Sequence, residues 1–183
     1  MNIILKFNQT AYKSIVPNPS MGFFRIKKIN GKEYGYIVDN KWEHKGSRQK
    51  VRAYLGRIHK LDLKNNIEFF EFNKIKDTQQ YITSNSPARI IRDLLEWEIF
   101  KFGISKEEFF IDFDSRKIKK SNRECALFVN EGFICGHTLK NLIEFKPEGN
   151  DSDGYRLASA FVEAGIKVPQ EIFVGIFSKL NKE

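Results

Sequence analysis

Alternating hydrophobic and polar positions dominate the first third of the chain and predict an antiparallel β-meander through about Lys60. Two alternating runs, 23–29 and 33–38, flank Asn30-Gly31, a pair that tolerates the positive φ angles of a type I′ turn. We therefore expect a tight hairpin at this pair. A polar stretch, 39–47, connects the hairpin to a third strand, 48–55.

Strand periodicity sorts the side chains of this segment into two faces, because residues two apart lie on the same side of a strand. We expect the cationic residues of the first and third strands to form one continuous stripe above an apolar layer. The stripe comprises Arg25, Lys27, Arg48, Lys50 and Arg52, with Phe24, Ile26, Val51, Ala53 and Leu55 on the other face. Three rings, Tyr34, Tyr36 and Tyr54, either stack on nucleic-acid bases or pack within the sheet, and both interpretations stay open.

The pattern changes at Leu61, which marks the expected boundary between a basic β-meander module, 1–60, and an α+β domain, 61–183. The run I-E-F-F-E-F at 67–72 predicts a strand, and the polar residues that follow predict a connector through Asn85. The middle of the chain then predicts short strands at 109–114, 125–129 and 133–135, with a polar basic hairpin at 115–123 between the first two.

Four helices are expected from start and stop signals. Ser86-Pro87 is a helix start with Ser as N-cap, and Gly103 ends that helix. Later helices run from Thr138 to about 145, from 154 to 164, and from Pro169 to about 180. The fold class is therefore α+β, with an N-terminal antiparallel β-meander, a mixed middle and a C-terminal helical cluster.

The 183 residues, 41% hydrophobic and 14% aromatic, are enough for one well-packed core. Cys125 and Cys135 cannot form a disulfide framework, and we expect both to be small buried side chains. The first residues lack the features of a secretory leader, and no apolar run is long enough to span a bilayer. We expect a cytoplasmic protein without membrane contact.

The uneven distribution of charge along the chain is its most informative feature. The segment from Arg25 to Lys60 holds eleven basic and three acidic residues, so it carries the entire net charge of +8. Such a segment is typical of proteins that bind DNA or RNA, because Lys and Arg displace counterions from phosphates. The alternative is a solvated, solubilising surface.

The motif K-x-N-G-K-x-Y at Lys28 to Tyr34, followed by Arg48-Gln49-Lys50 and Tyr54-Leu55-Gly56-Arg57, resembles a known pattern. It is similar to the basic N-terminal β module of some DDE-class insertion-sequence transposases and of short, often archaeal, uncharacterised proteins. The resemblance covers about a fifth of the chain. It implies a module that contacts nucleic acid, without implying strand transfer.

Candidate chemistry elsewhere is sparse. Asp112 and Asp114, two apart on an expected strand, would face the same side and share a divalent metal in a small nuclease, or pair with neighbouring basic residues. Cys125, Cys135 and His137 lack the spacing of a zinc site, and no phosphate-cradling glycine loop is present. We expect no resident metal and no cofactor.

We therefore expect a non-enzymatic nucleic-acid-binding protein, with RNA, including ribosomal RNA, slightly favoured over DNA because no basic recognition helix is evident. One alternative is an adaptor or assembly factor that binds a protein partner through its C-terminal helices, and a second is the metal-dependent nuclease. A second basic cluster, 116–123, extends the contact surface if the fold brings it beside the meander. The expected contact residues are Arg25, Lys27, Lys28, Lys32, Tyr34, Trp42, Arg48, Lys50, Arg52, Arg57, Arg116, Lys117 and Lys119.

Overall fold

The computed structural model describes residues 22–43 and 46–181, with the side chains of residues 41–43, 46 and 47 excepted. In this range the chain forms seven strands and six helices. The strands are β1 (Phe23–Ile29), β2 (Lys32–Glu43), β3 (Gly46–Lys60), β4 (Phe110–Asp112), β5 (Lys117–Lys120), β6 (Arg123–Val129) and β7 (Gly132–Ile134). The helices are α1 (Phe69–Phe72), α2 (Thr78–Ser84), α3 (Pro87–Lys101), α4 (Gly136–Ile143), α5 (Asp153–Ala164) and α6 (Gln170–Leu180).

All described strands belong to one mixed sheet in the order β1-β2-β3-β6-β5-β4, with β7 also paired to β6. The first three strands form the expected antiparallel meander. The end of β3 then pairs with β6 in parallel, from Arg57 opposite Cys125 to Lys60 opposite Phe128. The sheet is thus continuous across the boundary expected at Leu61, and the two-domain division stays a prediction.

The core lies on both faces of β6, because alternate residues of that strand enter different clusters. Cys125 and Leu127 belong to the larger cluster, which includes Leu94 and Leu95 of α3. Ala126 belongs to a smaller cluster with Ile37 of β2 and with Leu55, Ile58 and Cys135. The helical layer therefore covers one face of the sheet at β6.

The turn and cap signals are confirmed. Asn30 and Gly31 adopt φ angles of 49° and 74°, as a type I′ hairpin requires. The Ser86 hydroxyl accepts a hydrogen bond from the Arg89 N–H at 3.2 Å, and Pro87 is the first residue of α3. Gly165 ends α5 with a φ of 71°. The α+β fold class, with its N-terminal meander and C-terminal helical cluster, is confirmed as well.

Three expectations about local structure are wrong. The 67–72 segment contains the short helix α1 instead of a strand, because Phe69 packs edge-on against Trp97 with ring centroids 5.6 Å apart. A second helix, α2, occupies part of the expected connector. The 39–47 stretch is mostly strand, since β2 and β3 continue to pair as far as Glu43 opposite Gly46.

Candidate nucleic-acid interface

The two faces of the meander follow from its register, because residues directly opposite each other on paired strands point to the same side. Arg25 lies opposite Tyr36, and Tyr36 lies opposite Tyr54. Lys27 lies opposite Tyr34, which lies opposite Arg57. We call this side the tyrosine face. The other side, the core face, carries Phe24, Ile37 and Ala53, which pack in or against the smaller core cluster.

The expected single cationic stripe is wrong, because β3 contains two register shifts. Each shift leaves one β3 residue, Leu55 or Arg52, outside the residue-by-residue register with β2. An extra residue in a strand reverses the alternation beyond it, so Val51 is on the tyrosine face and 47% exposed. Lys50 lies opposite Asp39, on the side of the core face. Arg48 and Lys50 are thus on the opposite side of the sheet from Arg25 and Lys27.

Three tyrosine rings form a contiguous group on the tyrosine face. The Tyr36 and Tyr54 centroids are 5.3 Å apart, and those of Tyr34 and Tyr54 are 6.4 Å apart with ring planes inclined by 29°. The Lys27 ammonium lies 5.1 Å from the Tyr36 centroid. Tyr54 is 51% exposed, so its ring is open to a partner. Partial burial raises the pKa of Tyr54, and the neighbouring tyrosines add to that rise.

Three positively charged residues of the meander lie around these rings. Arg25 donates to the Gln49 side chain. Among the described side chains, no carboxylate forms an ion pair with Arg25, Lys27 or Arg57. The two described acidic residues of the meander lie on the core face: Glu33 pairs with Lys60 at 2.9 Å, and Asp39 lies 3.9 Å from Arg52.

Strand β6 extends the positive side of the tyrosine face. Arg123 lies two residues before Cys125, which pairs with Arg57, so Arg123 has the same orientation as Arg57. Its charge acts on Tyr54 and opposes the rise in the pKa of that phenol. Burial lowers the pKa of His59, and Lys120 and Arg57 lower it further, as expected in a locally positive field.

The register assigns the expected contact residues to different places. Five lie on the tyrosine face: Arg25, Lys27, Lys32, Tyr34 and Arg57. Four lie on the other side of the meander: Lys28, Arg48, Lys50 and Arg52. The side chain of Trp42, in β2, is outside the described residues. Three belong to the second basic cluster: Arg116, Lys117 and Lys119.

The second basic cluster is divided by the sheet. Lys119 lies opposite Glu124 and Lys120 opposite Arg123, so only Lys120 shares the orientation of Arg123. Arg116 lies in the β4–β5 turn and pairs with Glu144 at 2.7 Å. Sequence analysis placed Arg123 in the second basic cluster but did not include it among the expected contact residues. Because Arg123 lies two and four residues before the apolar positions 125 and 127, strand periodicity would have indicated its face. Its neighbours on β3 follow only from the parallel pairing of β3 with β6.

Asp112 and Asp114 have structural partners. The Asp112 carboxylate accepts hydrogen bonds from the backbone of Asp114 and Ser115 and from the Ser115 hydroxyl, which lower its pKa. Asp114 lies beyond the end of β4 and within 3.4 Å of Arg92. In the described part of the chain, no group of three His, Cys, Asp or Glu residues is arranged to hold a metal ion.

Both cysteines are buried and free, as expected for small apolar side chains. Burial raises the pKa of the Cys125 thiol to about 11, and it raises that of Cys135 as well. Burial also lowers the pKa of His137, which packs against Phe24 with centroids 6.0 Å apart. These groups therefore belong to the packing of the core.

Six apolar residues of the last two helices are buried in the larger core cluster. Leu157, Ile172 and Ile176 are fully buried, whereas Tyr155 and Val162, on one side of α5, are exposed. No described feature indicates what would bind them, and the adaptor hypothesis stays a prediction. Within residues 22–43 and 46–181, no helix is long and apolar enough to cross a membrane.

Comparison with known proteins gives no indication of function. Protein-family models, curated proteins and solved structures gave no match to the chain. The resemblance of the meander to transposase N-terminal modules therefore stays an expectation drawn from its motif.

Proposed function

We propose that this protein binds nucleic acid through the tyrosine face of its meander, with single-stranded RNA favoured over DNA. One observation carries the proposal. Tyr34, Tyr36 and Tyr54 are neighbours on a sheet face where Arg25, Lys27 and Arg57 have no described carboxylate partner.

The rings supply the contact with bases. An aromatic side chain on an open sheet offers a stacking surface to any base, and each such stack contributes about 1–3 kcal/mol. The half-exposed ring of Tyr54 is the central one, because it lies beside both other tyrosines. A base must be unpaired to stack in this way, which favours a single strand or a loop over a duplex.

The cations supply the contact with phosphates. Arg25, Lys27 and Arg57 surround the tyrosines, and Arg123 extends the positive surface across the β3–β6 junction. Contacts of this kind hold the backbone without reading sequence. We therefore expect a preference for strandedness over sequence, and the 2′-hydroxyl gives RNA an additional polar contact.

The test compares two triple variants that remove equal charge from opposite sides of one meander. The first is Arg25→Gln, Lys27→Gln and Arg57→Gln, on the tyrosine face. The control is Lys28→Gln, Arg48→Gln and Lys50→Gln. Binding of each protein to single-stranded RNA, single-stranded DNA and duplex DNA is measured across a salt series.

The first variant should bind single strands more weakly and lose about two ion equivalents from its salt dependence, at about 0.7 per phosphate contact. The control should keep most of the wild-type affinity and slope. Equal losses of affinity in the two variants would mean that binding depends only on net charge, and this result would overturn the proposal. Tighter binding to duplex DNA than to single strands would also overturn it.

A further inference from the structure

A cavity of about 350 Å³ lies far from the tyrosine face along the sheet order, between the first turns of α3 and the β4–β5 turn. Its volume is within the range of small-ligand sites. Three arginines line it: Arg89 and Arg92 from α3, and Arg116 from the turn. Phe113 and Ile143 provide apolar walls. Guanidinium groups beside apolar walls suit a ligand that combines an anion with a flat, apolar part.

The arginines are held in place by acidic neighbours that use only some of their donors. Arg89 pairs with the buried Asp93 at 2.9 Å, and the second oxygen of Asp93 accepts a hydrogen bond from Tyr81 at 2.7 Å. Arg116 pairs with Glu144. A guanidinium has five N–H donors, so each arginine retains donors for a further acceptor. The acidic neighbours thus preorganise the cations.

Arg116 has two features that its ion pair does not explain. Its φ angle is 52°, in the left-handed region that residues other than Gly, Asn and Asp rarely adopt. Within the described structure, its Nε is buried and has no hydrogen-bond partner. A buried donor without an acceptor is unfavourable, and strained residues with unmet donors concentrate at binding sites.

Carboxylates beside all three arginines limit the positive charge of the cavity, and Arg92 has two of them, Glu96 at 3.8 Å and Asp114 at 3.4 Å. Asp114 is the one carboxylate among the lining residues, and its side chain is 84% exposed. A doubly charged phosphate competes with such a pair, because it accepts several charge-assisted hydrogen bonds at once. The Arg92 guanidinium also lies 5.4 Å from the Phe113 centroid, which places a flat cation beside an aromatic wall.

We propose that this cavity binds a phosphate monoester attached to a planar ring, as in a mononucleotide. Arg92 and Arg116 hold the phosphate, and Phe113 and Ile143 contact the ring. This site is separate from the tyrosine face and does not depend on the function proposed there. The ligand is either a free mononucleotide or the phosphorylated end of a strand, since both carry the same chemical group.

The experiment measures binding of adenosine 5′-monophosphate, adenosine and inorganic phosphate by calorimetry. Wild type should bind the monophosphate more tightly than inorganic phosphate, and adenosine more weakly than either. Arg92→Gln should weaken monophosphate binding about tenfold, as loss of one charged contact predicts. Asp114→Asn should strengthen it several-fold, because it removes the competing carboxylate. Lys106→Gln, an equal charge change at an exposed position outside the cavity lining, should have no effect on monophosphate binding.

Two results would overturn the proposal: no binding of the monophosphate at about 10 mM, or the same affinity in wild type and Arg92→Gln. A thermal melt of each variant separates lost binding from lost folding. Competition between the monophosphate and RNA oligomers with and without a 5′-phosphate distinguishes the two ligand sources. Binding of the unphosphorylated oligomer should be unaffected by Arg92→Gln, so failure at this cavity is distinguishable from failure at the tyrosine face.

Discussion

Gly56 of β3 lies directly against the backbone carbonyl of Glu124 in β6. A Cβ at position 56 would be 2.0 Å from that oxygen, and the glycine has a φ of 87°. The next residue, Arg57, pairs with Tyr34 in the antiparallel direction and with Cys125 in the parallel direction. The glycine therefore allows the close approach at which the meander joins the rest of the sheet.

Gly56→Ala should destabilise the protein by about 3 kcal/mol, because it combines backbone strain with a backbone clash. Gly31→Ala is the matched control. Gly31 has a φ of 74°, but a Cβ at this position would have no neighbouring atom within 4 Å, so only strain of about 1 kcal/mol applies. Chemical denaturation measures the loss in the free energy of unfolding for both variants. Equal losses in the two variants would contradict the proposed role of close packing at position 56.

Tyr54→Leu should weaken binding of single-stranded RNA by about 1–3 kcal/mol, because the ring offers a stacking surface that leucine lacks. Tyr54→Phe should retain the affinity, since it keeps the ring and removes only the hydroxyl. Fluorescence anisotropy with a labelled oligomer measures both variants. If the leucine and phenylalanine variants bind equally well, stacking at Tyr54 does not contribute.

Glu98→Ala should destabilise the fold by about 3 kcal/mol, because it leaves buried partners without their acceptor. The fully buried Glu98 carboxylate accepts hydrogen bonds from Lys101 Nζ at 3.2 Å, Lys167 N at 3.1 Å and Asn130 Nδ2 at 2.9 Å. It thereby joins α3 to the β6–β7 turn and to the loop before α6. Urea denaturation gives the change in the free energy of unfolding.

Two further variants test this role of Glu98. Glu96→Ala, on the exposed side of the same helix, should cost less than about 0.5 kcal/mol. Glu98→Gln combined with Lys101→Met should be less destabilising than the sum of the two single changes, because each single change leaves one buried charge unpaired. Additive effects would mean that the two charges are not coupled.

Asp153 should make the stability depend on acidic pH. Its buried carboxylate accepts hydrogen bonds from the N–H groups of Glu148, Gly149 and Asn150, and Arg156 lies 2.8 Å away. These bonds, with the Glu148 N–H contributing most, lower its pKa. A lowered pKa stabilises the fold fully above the ordinary aspartate pKa of about 3.9. That contribution is lost as pH falls through the lower pKa of the folded protein.

The variant Asp153→Asn should therefore melt at a lower temperature than wild type near neutral pH. The difference between the two proteins should shrink below about pH 4. Asp151→Asn, a change at an exposed position in the same loop, is the control and should melt like wild type throughout. A difference between wild type and Asp153→Asn that stays constant from neutral pH to about pH 2 would exclude this linkage.

Signals within a few residues predicted local structure well. Asn30-Gly31 specified its hairpin, and Ser86-Pro87 specified the start of α3, because each depends on backbone preferences of the residues themselves. The 67–72 segment was mistaken for a strand because its apolar positions fit either periodicity. The packing of Phe69 against Trp97, distant in sequence, selects the helix.

The candidate site was predicted only in part. The basic and aromatic residues of the meander were evident from composition, but their division between two faces was not. A register shift in β3 depends on how β2 and β6 pair with it, and one extra residue moves Val51 and Lys50 to different sides from those that simple alternation assigns. The cavity lined by Arg89, Arg92 and Arg116 joins residues from two separate elements, and neither element indicates it alone.

The amino-acid sequence by itself determined most of the strands and the four longer helices, where most turns lie, and that the excess positive charge belongs to the meander. These properties follow from short-range backbone preferences and from composition. Tertiary structure decided which cations share a face with the tyrosines and which arginines meet around a cavity. The reason is geometric: the side to which a residue points in an irregular strand, and its neighbours across the sheet, depend on pairing with distant parts of the chain.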